Sequence, residues 1–312
     1  MNRPSVLILA PDAEEYLSLL DGLSRQGTRL RAASSADTVP AVWEGQPVAL
    51  GQPDLVAAAL DCMPGLQWVQ STWAGVEALL KQQRRDFQLT GVKGVFGSLM
   101  AEYVFAYLLA HETKLLQRHC RQQQREWWPR DSGTLAGKTL GIMGTGSIGA
   151  RIADTGRMFG MRVLGFSRSG AAVEGFERVF ASAELRDFLA QPDYLVGVLP
   201  DTPATDGLMD AAALSALPSH CCLINVGRGN LIDETALATA LNAGRLGGAV
   251  LDVFRQEPLP ATQTVPRSPN SSRRTRRCDT PCSARCIPPR SAAVCCAACA
   301  RARAAETRCG TS

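Results

Sequence analysis

The sequence predicts an α/β protein made of two parallel-sheet domains with helices on both faces of each sheet. Three observations carry that expectation. A strand, a glycine turn, a helix and a second strand follow one another between Lys138 and Gly170. Upstream, short apolar runs of strand length alternate with helical patterns from Ser5 to Ser71. Downstream the same rhythm resumes and continues to Val253. A length of 312 residues suits two domains of ordinary size. The expected division is residues 1–98, residues 99–260 and a tail, 261–312, of different composition.

The first domain opens with Ser5 to Ala10, a run apolar enough for a buried strand, and Asp12 is placed to cap a helix through Leu23. Thr28 to Ala32, Pro47 to Leu50 and Leu66 to Ser71 read as strands, and Pro53 to Leu60 as a helix. The piece STWAGVEALL then ends a strand, turns at Ala74 and Gly75, and starts a helix near Val76. Taken by itself it is either an ordinary strand-to-helix turn or a place where free N–H groups receive a small anion.

Ser98 is the expected cap of a long helix running to about Arg121, with Leu99, Tyr103, Tyr107 and Ala110 along one face. His111 and His119 lie on it and read as surface or packing residues. Trp127, Trp128 and Pro129 close this segment, the tryptophans being expected to bury against a neighbouring domain or subunit.

The next stretch organises the second domain. Thr139 to Met143 is a short apolar strand, and GTGSIG (Gly144, Thr145, Gly146, Ser147, Ile148, Gly149) has the G-x-G-x-x-G spacing. Ile148, Ile152, Thr155 and Phe159 recur at helical intervals, and Met161 to Phe166 is a second strand. This is the dinucleotide-binding unit. Gly144 allows the tight turn, Gly146 the close approach of a pyrophosphate, and Gly149 the packing of helix on strand. The pyrophosphate then meets the unsatisfied N–H groups of the helix N-terminus. NAD sites carry an acidic residue about 20 positions past the first glycine. Here Ser167, Arg168 and Ser169 stand there, and no carboxylate occurs before Glu174. A guanidinium and two hydroxyls suit a 2′-phosphate, so NADP(H) is preferred and NAD(H) possible, unless Arg168 is simply a solvated loop residue.

Further on, Tyr194 to Leu199 is a strand ending in LPDTPAT, which puts Leu199, Pro200 and Thr205 at the sheet edge where cofactors bind. Cys221 to Val226 is the next strand; Val226 and Gly227 then lead into GRGNLIDETAL. Asp233 to Ala243 is a helix closed by Gly244, and Gly247 to Val253 is a last strand. Cys221 and Cys222 read as small buried hydrophobes, and His220 as a surface residue.

The net charge of +4 averages two unlike parts. The tail has ten arginines against Asp279 and Glu306, which is +8 and leaves −4 for the body. Seven of the eleven cysteines also fall in the tail. The sparse cysteines of the body, and an N-terminus whose apolar run is too short for a signal segment, point to the cytoplasm. No apolar run approaches the ~20 residues that span a membrane.

Four motifs in order, GTGSIGARIA, LPDTPAT, LINVGRGNLIDE and GAVLDVFRQEPLP, resemble the D-isomer-specific 2-hydroxyacid dehydrogenases, closest to the glyoxylate/hydroxypyruvate reductase branch. The resemblance covers about residues 1–260. It implies two Rossmann-like domains, one flavodoxin-like and one dinucleotide-binding, with the active site in the cleft between them, and a homodimer. It also implies reduction of a small 2-oxo acid to the D-2-hydroxy acid by hydride transfer. Arg228 matches the arginine that grips substrate carboxylate and keto oxygen, a task suited to its permanently charged planar fork. Ala74 and Gly75 match the backbone amides that take the carboxylate from the other side. Asp252 matches the residue beside the nicotinamide carboxamide, and Glu257 the carboxylate that orients the catalytic histidine.

That histidine is expected roughly 20 residues after Glu257, and the sequence there reads SPNSSRRTRRCDTPC. The chain's histidines are His111, His119 and His220, all upstream. From Ala261 onward there is no Leu, Phe, Tyr, Trp, Met or Lys, and neither helical nor strand periodicity survives. A shifted reading frame in a GC-rich gene has this appearance, and such a tail is expected to be disordered from about Val265. Two further readings stand beside the enzyme. One takes the cysteines and arginines of the tail as a zinc-bound nucleic-acid module; paired C-x-x-C knuckles and aromatics for base stacking are absent, so neither a metal nor a nucleic acid is expected. The other is a catalytically weak protein of the same fold that binds and senses the nucleotide.

Overall fold

The structure, a computed structural model, describes residues 5–257 and Leu259. The tail and the expectation of disorder attached to it lie outside the described residues. The chain divides between Val95 and Phe96 into two units.

The first unit alternates β1 (Ser5–Leu9), α1 (Ala13–Leu19), α2 (Asp21–Arg25), β2 (Arg29–Ala33), α3 (Val39–Val42), β3 (Val48–Gly51), α4 (Pro53–Ala59), β4 (Trp68–Ser71), α5 (Glu77–Leu80) and β5 (Gln88–Thr90). Its strands are all parallel in the order β2-β1-β3-β4-β5, the flavodoxin-like winding. Leu7, Leu9, Ala49 and Val69 of the sheet pack with Val39, Val56 and Leu79 of the helices. The single helix expected from Asp12 to Leu23 is two, broken at Leu20, and the Asp12 side chain makes no cap. Ala13 is the one buried residue in α1, and α2 has none, so little packing holds a continuous helix together. The helix expected near Val76 is one turn, α5.

The second unit holds α6 (Gly97–Glu112), α7 (Leu115–Gln123), β6 (Thr139–Met143), α8 (Ser147–Met158), β7 (Arg162–Phe166), β8 (Arg178–Phe180), α9 (Leu185–Leu189), β9 (Tyr194–Gly197), α10 (Ala211–Ala216), β10 (Cys222–Asn225), α11 (Glu234–Asn242) and β11 (Gly248–Leu251). Its sheet runs β11-β10-β9-β6-β7-β8, every pair parallel. Counted from its own first strand this is the order 3-2-1-4-5-6 read from the far edge, with the topological switch between β6 and β9. Successive strand residues alternate between two cores. Leu140, Ile142, Val163, Val196 and Ile224 meet Val104, Phe105 and Leu108 of α6 and Ile152 of α8. Met143, Leu164, Leu195, Leu223 and Leu251 meet Phe188, Leu214, Leu237 and Leu241 of α9, α10 and α11. Such strands, buried on both faces, read as nearly continuous apolar runs.

The long helix expected from Ser98 to Arg121 is also two. Its N-cap is Phe96, and Lys114 breaks it with φ +55°, the left-handed region that L side chains avoid. The Lys114 ammonium reaches the Asp131 carbonyl at 2.7 Å, which ties the following loop to the break. The buried face of α6 is Ala101, Val104, Phe105 and Leu108, whereas Leu99 is 62% exposed. Trp127 is 89% exposed within this chain, and Trp128 lies under the guanidinium groups of Arg118 and Arg121, 6.0 and 5.7 Å away. No helix among the described residues is long and apolar enough to cross a membrane.

Candidate active site

In the second unit, the residues singled out from the sequence fall on segments that leave the carboxyl ends of neighbouring parallel strands. Gly144 to Gly149 follow β6, Ser167 to Ser169 follow β7, Leu199 to Thr205 follow β9, Val226 to Arg228 follow β10, and Asp252 to Glu257 follow β11. The carboxyl edge, at the switch point, is where open α/β sheets take their ligands.

The glycine turn is shaped as its spacing demands. Gly144 has φ +110°, and its N–H donates to the Phe166 carbonyl at 2.9 Å. A Cβ on Gly149 would lie 1.9 Å from the Gly144 carbonyl oxygen, so helix and turn touch with no room for a side chain. A Cβ on Gly146 would meet nothing within 4 Å. Gly146 is the N-cap of α8, which has no side-chain cap and no acid in its first turn. Open space above uncapped amides at the positive end of a twelve-residue helix fits an anionic pyrophosphate.

After β7 the Ser167 hydroxyl accepts from the Gly170 N–H at 3.1 Å and Ser169 from the Ala171 N–H at 3.3 Å, which fixes the loop around Arg168. Arg168 is exposed, and among the described residues its guanidinium has no ion-pair partner. In the LPDTPAT loop the Thr205 hydroxyl donates to the Pro200 carbonyl at 2.7 Å and accepts from the Thr202 N–H at 3.0 Å. That hydroxyl holds the loop's shape.

Arg228 is half-buried, and its Nη1 donates to the Gly227 carbonyl at 2.8 Å. The buried side chain of Asn225, which the motif reading passed over, pins this turn: its Nδ2 donates to the Arg228 carbonyl at 2.9 Å and its Oδ1 accepts from the Gly227 N–H at 3.2 Å. The Asn225 carbonyl accepts from the Asp252 N–H at 3.0 Å, carrying the register across to β11. Val226 packs into the core, so only its backbone faces the edge. A Cβ on Gly229 would lie 1.9 Å from the Phe254 carbonyl carbon. The Arg228 turn and the segment after β11 are therefore in backbone contact.

Asp252 is half-buried, and its Oδ1 is fully shielded with no hydrogen-bond partner among the described residues. Burial raises its pKa; Tyr103 from α6 lowers it, and the Glu257 charge raises it further. The Tyr103 hydroxyl is likewise shielded, and its pKa rises through burial and then through the nearby Asp252 charge. Tyr103 is a second residue the sequence reading placed only as part of a helix face. Glu257 is exposed, and its Oε1 accepts from the Phe254 N–H at 2.8 Å.

The histidines lie elsewhere. His220 precedes β10 and pairs through Nε2 with Asp193 Oδ1 at 2.8 Å. The four residues of β10 separate it from the Arg228 turn by roughly 13 Å. His111 Nδ1 bonds the Tyr194 hydroxyl at 2.8 Å, at the amino end of β9. His119 pairs with Gln123 one turn further along α7.

In the first unit, the buried Ser71 hydroxyl accepts from the Trp73 N–H at 2.9 Å and donates to the Trp73 carbonyl at 2.7 Å. This turns the chain after β4 so that Ala74 is exposed and Gly75 half-buried ahead of α5.

A glycine cradle at a helix N-terminus, set at the switch point of a doubly wound sheet, defines a dinucleotide-binding α/β protein with a guanidinium and carboxylates on the same edge. The kinship is closer than the fold. Residues 105–273 match the family model of the D-isomer specific 2-hydroxyacid dehydrogenase NAD binding domain, and the chain belongs to that family of NAD(P)-dependent enzymes. It is 32% identical over 263 residues to glyoxylate/hydroxypyruvate reductase A of Yersinia enterocolitica, covering 80% of each chain. A crystal structure of a D-isomer specific 2-hydroxyacid dehydrogenase family protein from Aeromonas salmonicida superimposes with a TM-score of 0.82 at 42% identity, over 86% of this chain and 87% of that one. The NADPH-dependent glyoxylate/hydroxypyruvate reductase of Sinorhizobium meliloti, solved with NADP and sulfate, gives 0.72 at 30% identity over 84% of both.

Proposed function

We propose that this chain binds NADP(H) and a small 2-oxo acid of the glyoxylate/hydroxypyruvate kind, and that its site is laid out to reduce that acid to the D-2-hydroxy acid. The observation that carries the reading is the gathering of the glycine cradle, the Arg228 turn and the Asp252–Glu257 segment on one carboxyl edge. In this reading Gly144, Thr145, Gly146, Ser147, Ile148 and Gly149 hold the pyrophosphate, and Ser167, Arg168 and Ser169 hold the 2′-phosphate. Leu199, Pro200, Thr205, Val226 and Gly227 border the nicotinamide half, and Asp252 faces its carboxamide. When bound, the cofactor supplies the hydride that reduces the keto carbon. Arg228 grips the carboxylate and the keto oxygen with its two-pronged fork, polarising the carbonyl and stabilising the negative charge that develops on oxygen. The backbone of Ala74 and Gly75 receives the carboxylate. Glu257 is the carboxylate that orients a histidine in the family, and this chain has no histidine beyond His220. Loss of a positioned acid lowers the rate by about 10²–10⁴-fold.

One observation favours a second reading, a nucleotide-binding sensor of the same fold: no described histidine bonds to a residue of the proposed site. NADPH fluorescence titration followed by stopped-flow reduction of glyoxylate and hydroxypyruvate decides between them. Binding with slow but Arg228-dependent turnover supports the enzyme; binding without any turnover supports the sensor; no binding of either nicotinamide nucleotide defeats both. The partners that go with the first reading are the 2-oxo acid and a second copy of the chain, acting in the cytoplasm. Exposed Leu99, Leu115, Leu116 and Trp127 supply apolar surface for the second copy. Light scattering tests it.

A further inference from the structure

Arg255 sits between Asp252 and Glu257, and its three hydrogen-bonding arms reach three other segments. Its backbone N–H donates to Glu234 Oε1 at 2.8 Å, at the start of α11. Its Nη2 donates to the Asn230 carbonyl at 3.0 Å, two residues beyond Arg228. Its Nη1 pairs with Asp206 Oδ1 at 3.0 Å, next to Thr205. The Asn230 carbonyl also accepts from the Gly207 N–H at 2.8 Å, so the loops after β9 and β10 already touch, and the guanidinium fastens the segment after β11 to both.

We propose that Arg255 is a positioning residue whose forked side chain fixes the Arg228 turn and the Asp252–Glu257 segment relative to each other, and so sets the affinity for the 2-oxo acid. The proposal rests on the reading of Arg228 as the substrate-binding arginine. The tie acts through geometry more than through stability. Asp206 and Arg255 are each about half exposed, at 51% and 50%, and an ion pair so placed adds little to folding. Nη1 and Nη2 each serve a different loop, a fixed planar spread of donors that the compact ammonium of lysine does not reproduce. The backbone bond to Glu234 survives substitution by alanine or lysine, so the segment stays folded when the side chain is lost.

The test uses the full chain loaded with NADPH and the unreactive 2-oxo acid analogue oxamate as probe, with hydrogen exchange at the Gly207 amide and at the Ile232 amide, which donates to the Gly229 carbonyl beside Arg228 at 3.4 Å. Arg255→Ala is expected to weaken oxamate about tenfold, within the ~10²-fold that a 1 Å misplacement can produce. It is also expected to speed exchange at both amides and to weaken NADPH less than oxamate, since the glycine cradle and the Ser167–Ser169 loop proposed for the phosphates lie outside the tied segments. Arg255→Lys restores the charge but not the fork, and should recover only a small part of the oxamate affinity. Asp206→Asn combined with Arg255→Ala should weaken oxamate no more than Arg255→Ala alone, because both remove the same tie. Unchanged oxamate affinity in Arg255→Ala, full recovery by Arg255→Lys, or a loss matched by an equal loss of NADPH affinity overturns the proposal. Arg228→Gln is the control for the underlying reading. If the parent binds no oxamate, or Arg228→Gln binds it as the parent does, the reading of Arg228 falls and the role of Arg255 with it. If Arg228→Gln loses oxamate and Arg255→Ala does not, only the role of Arg255 falls.

Discussion

A methyl group placed on Gly146 separates the nucleotide-binding role of the glycine turn from its role in folding. The Gly146 backbone has φ −74° and ψ −169°, extended values that alanine adopts without strain. Its Cβ would stand in open space, so no packing is lost. Replacing an N-cap glycine by alanine weakens the cap by up to ~1 kcal/mol, while the stiffer unfolded chain returns about 0.4–1 kcal/mol. The two nearly cancel, and the melting temperature should stay within about 2 °C of the parent. If a pyrophosphate lies against those amides, the methyl group occupies its place. Loss of two charge-assisted hydrogen bonds, each worth about 1.5–3 kcal/mol, weakens NADPH binding by roughly 10²–10⁴-fold. Gly149→Ala should behave in the opposite way. Its Cβ would overlap the Gly144 carbonyl oxygen at 1.9 Å and stand 3.0 Å from the carbonyl carbon, backbone atoms that cannot swing aside as a side-chain end can. Overpacking of this kind costs about 3 kcal/mol, a drop of about 6–12 °C in a unit of this size. Thermal melts and NADPH fluorescence titrations on the two variants give the comparison. A Gly146→Ala protein that binds NADPH as the parent does would show that the cradle holds no phosphate, and a Gly149→Ala protein that melts with the parent would show that the turn is looser than described.

Three further outcomes follow from particular residues. Arg168→Asp should weaken NADPH by about 10–100-fold and NADH by less than about threefold, with a difference that shrinks as salt rises; equal effects on the two nucleotides would remove the case for a 2′-phosphate site. Added imidazole should speed glyoxylate reduction in proportion to its concentration at pH 6–7, since it can supply the proton that no side chain delivers; a rate indifferent to imidazole would show that proton transfer does not limit turnover. His111 has its pKa lowered, mainly by burial, with Glu112 opposing and Lys138 adding to the effect. A depressed histidine favours the folded state fully above its unfolded pKa of about 6.5, and that contribution is lost as pH falls below 6.5 toward the folded value. Urea melts should therefore lose stability between pH 7 and pH 5, and His111→Gln should flatten that slope; an unchanged slope would assign it to other groups.

What could be read from the sequence was set by how local the physics is. β6 begins and ends where its apolar run does, at Thr139 and Met143, because a central parallel strand buried on both faces announces itself by composition. The glycine spacing is equally local, since Gly144 answers to Val198 after the neighbouring strand and Gly149 to the Gly144 carbonyl of the same turn. β5 and β8 went unread because three residues at a sheet edge carry no period. The buried face of α6 is not marked in the sequence because the helix is apolar nearly all round, and only the position of α8 and the sheet selects Val104, Phe105 and Leu108 over Leu99. The break at Lys114 has no glycine or proline to mark it, and is held instead by a contact to Asp131 seventeen positions away. Around the site, Asn225, Tyr103 and Arg255 escaped notice for a related reason. Arg255 acquires its meaning from Asp206 and Asn230, which lie in other loops and which no motif joins to it.

Among the described residues, no side chain of the carboxyl edge is set to supply the proton of the proposed reduction. In the proposed reduction Arg228 stabilises the developing oxyanion, a role that leaves the proton to come from elsewhere. Tyr103 is driven the wrong way: burial and the Asp252 charge both hold its proton more tightly. Asp252 is raised by burial, yet Tyr103 pulls it back, and in the proposed site its side chain is given over to the nicotinamide carboxamide. Cys221 and Cys222 are buried at the amino end of β10, and Cys222 is pushed up to about 12, so neither gives a proton near neutrality. His111 and His220 stand at the amino ends of β9 and β10, and no rotamer spans the roughly 13 Å of a four-residue strand. Under the proposed reduction, charge stabilisation therefore stays with Arg228 while proton delivery passes to solvent. On that reading turnover is expected to depend on buffer acid, which the imidazole experiment measures.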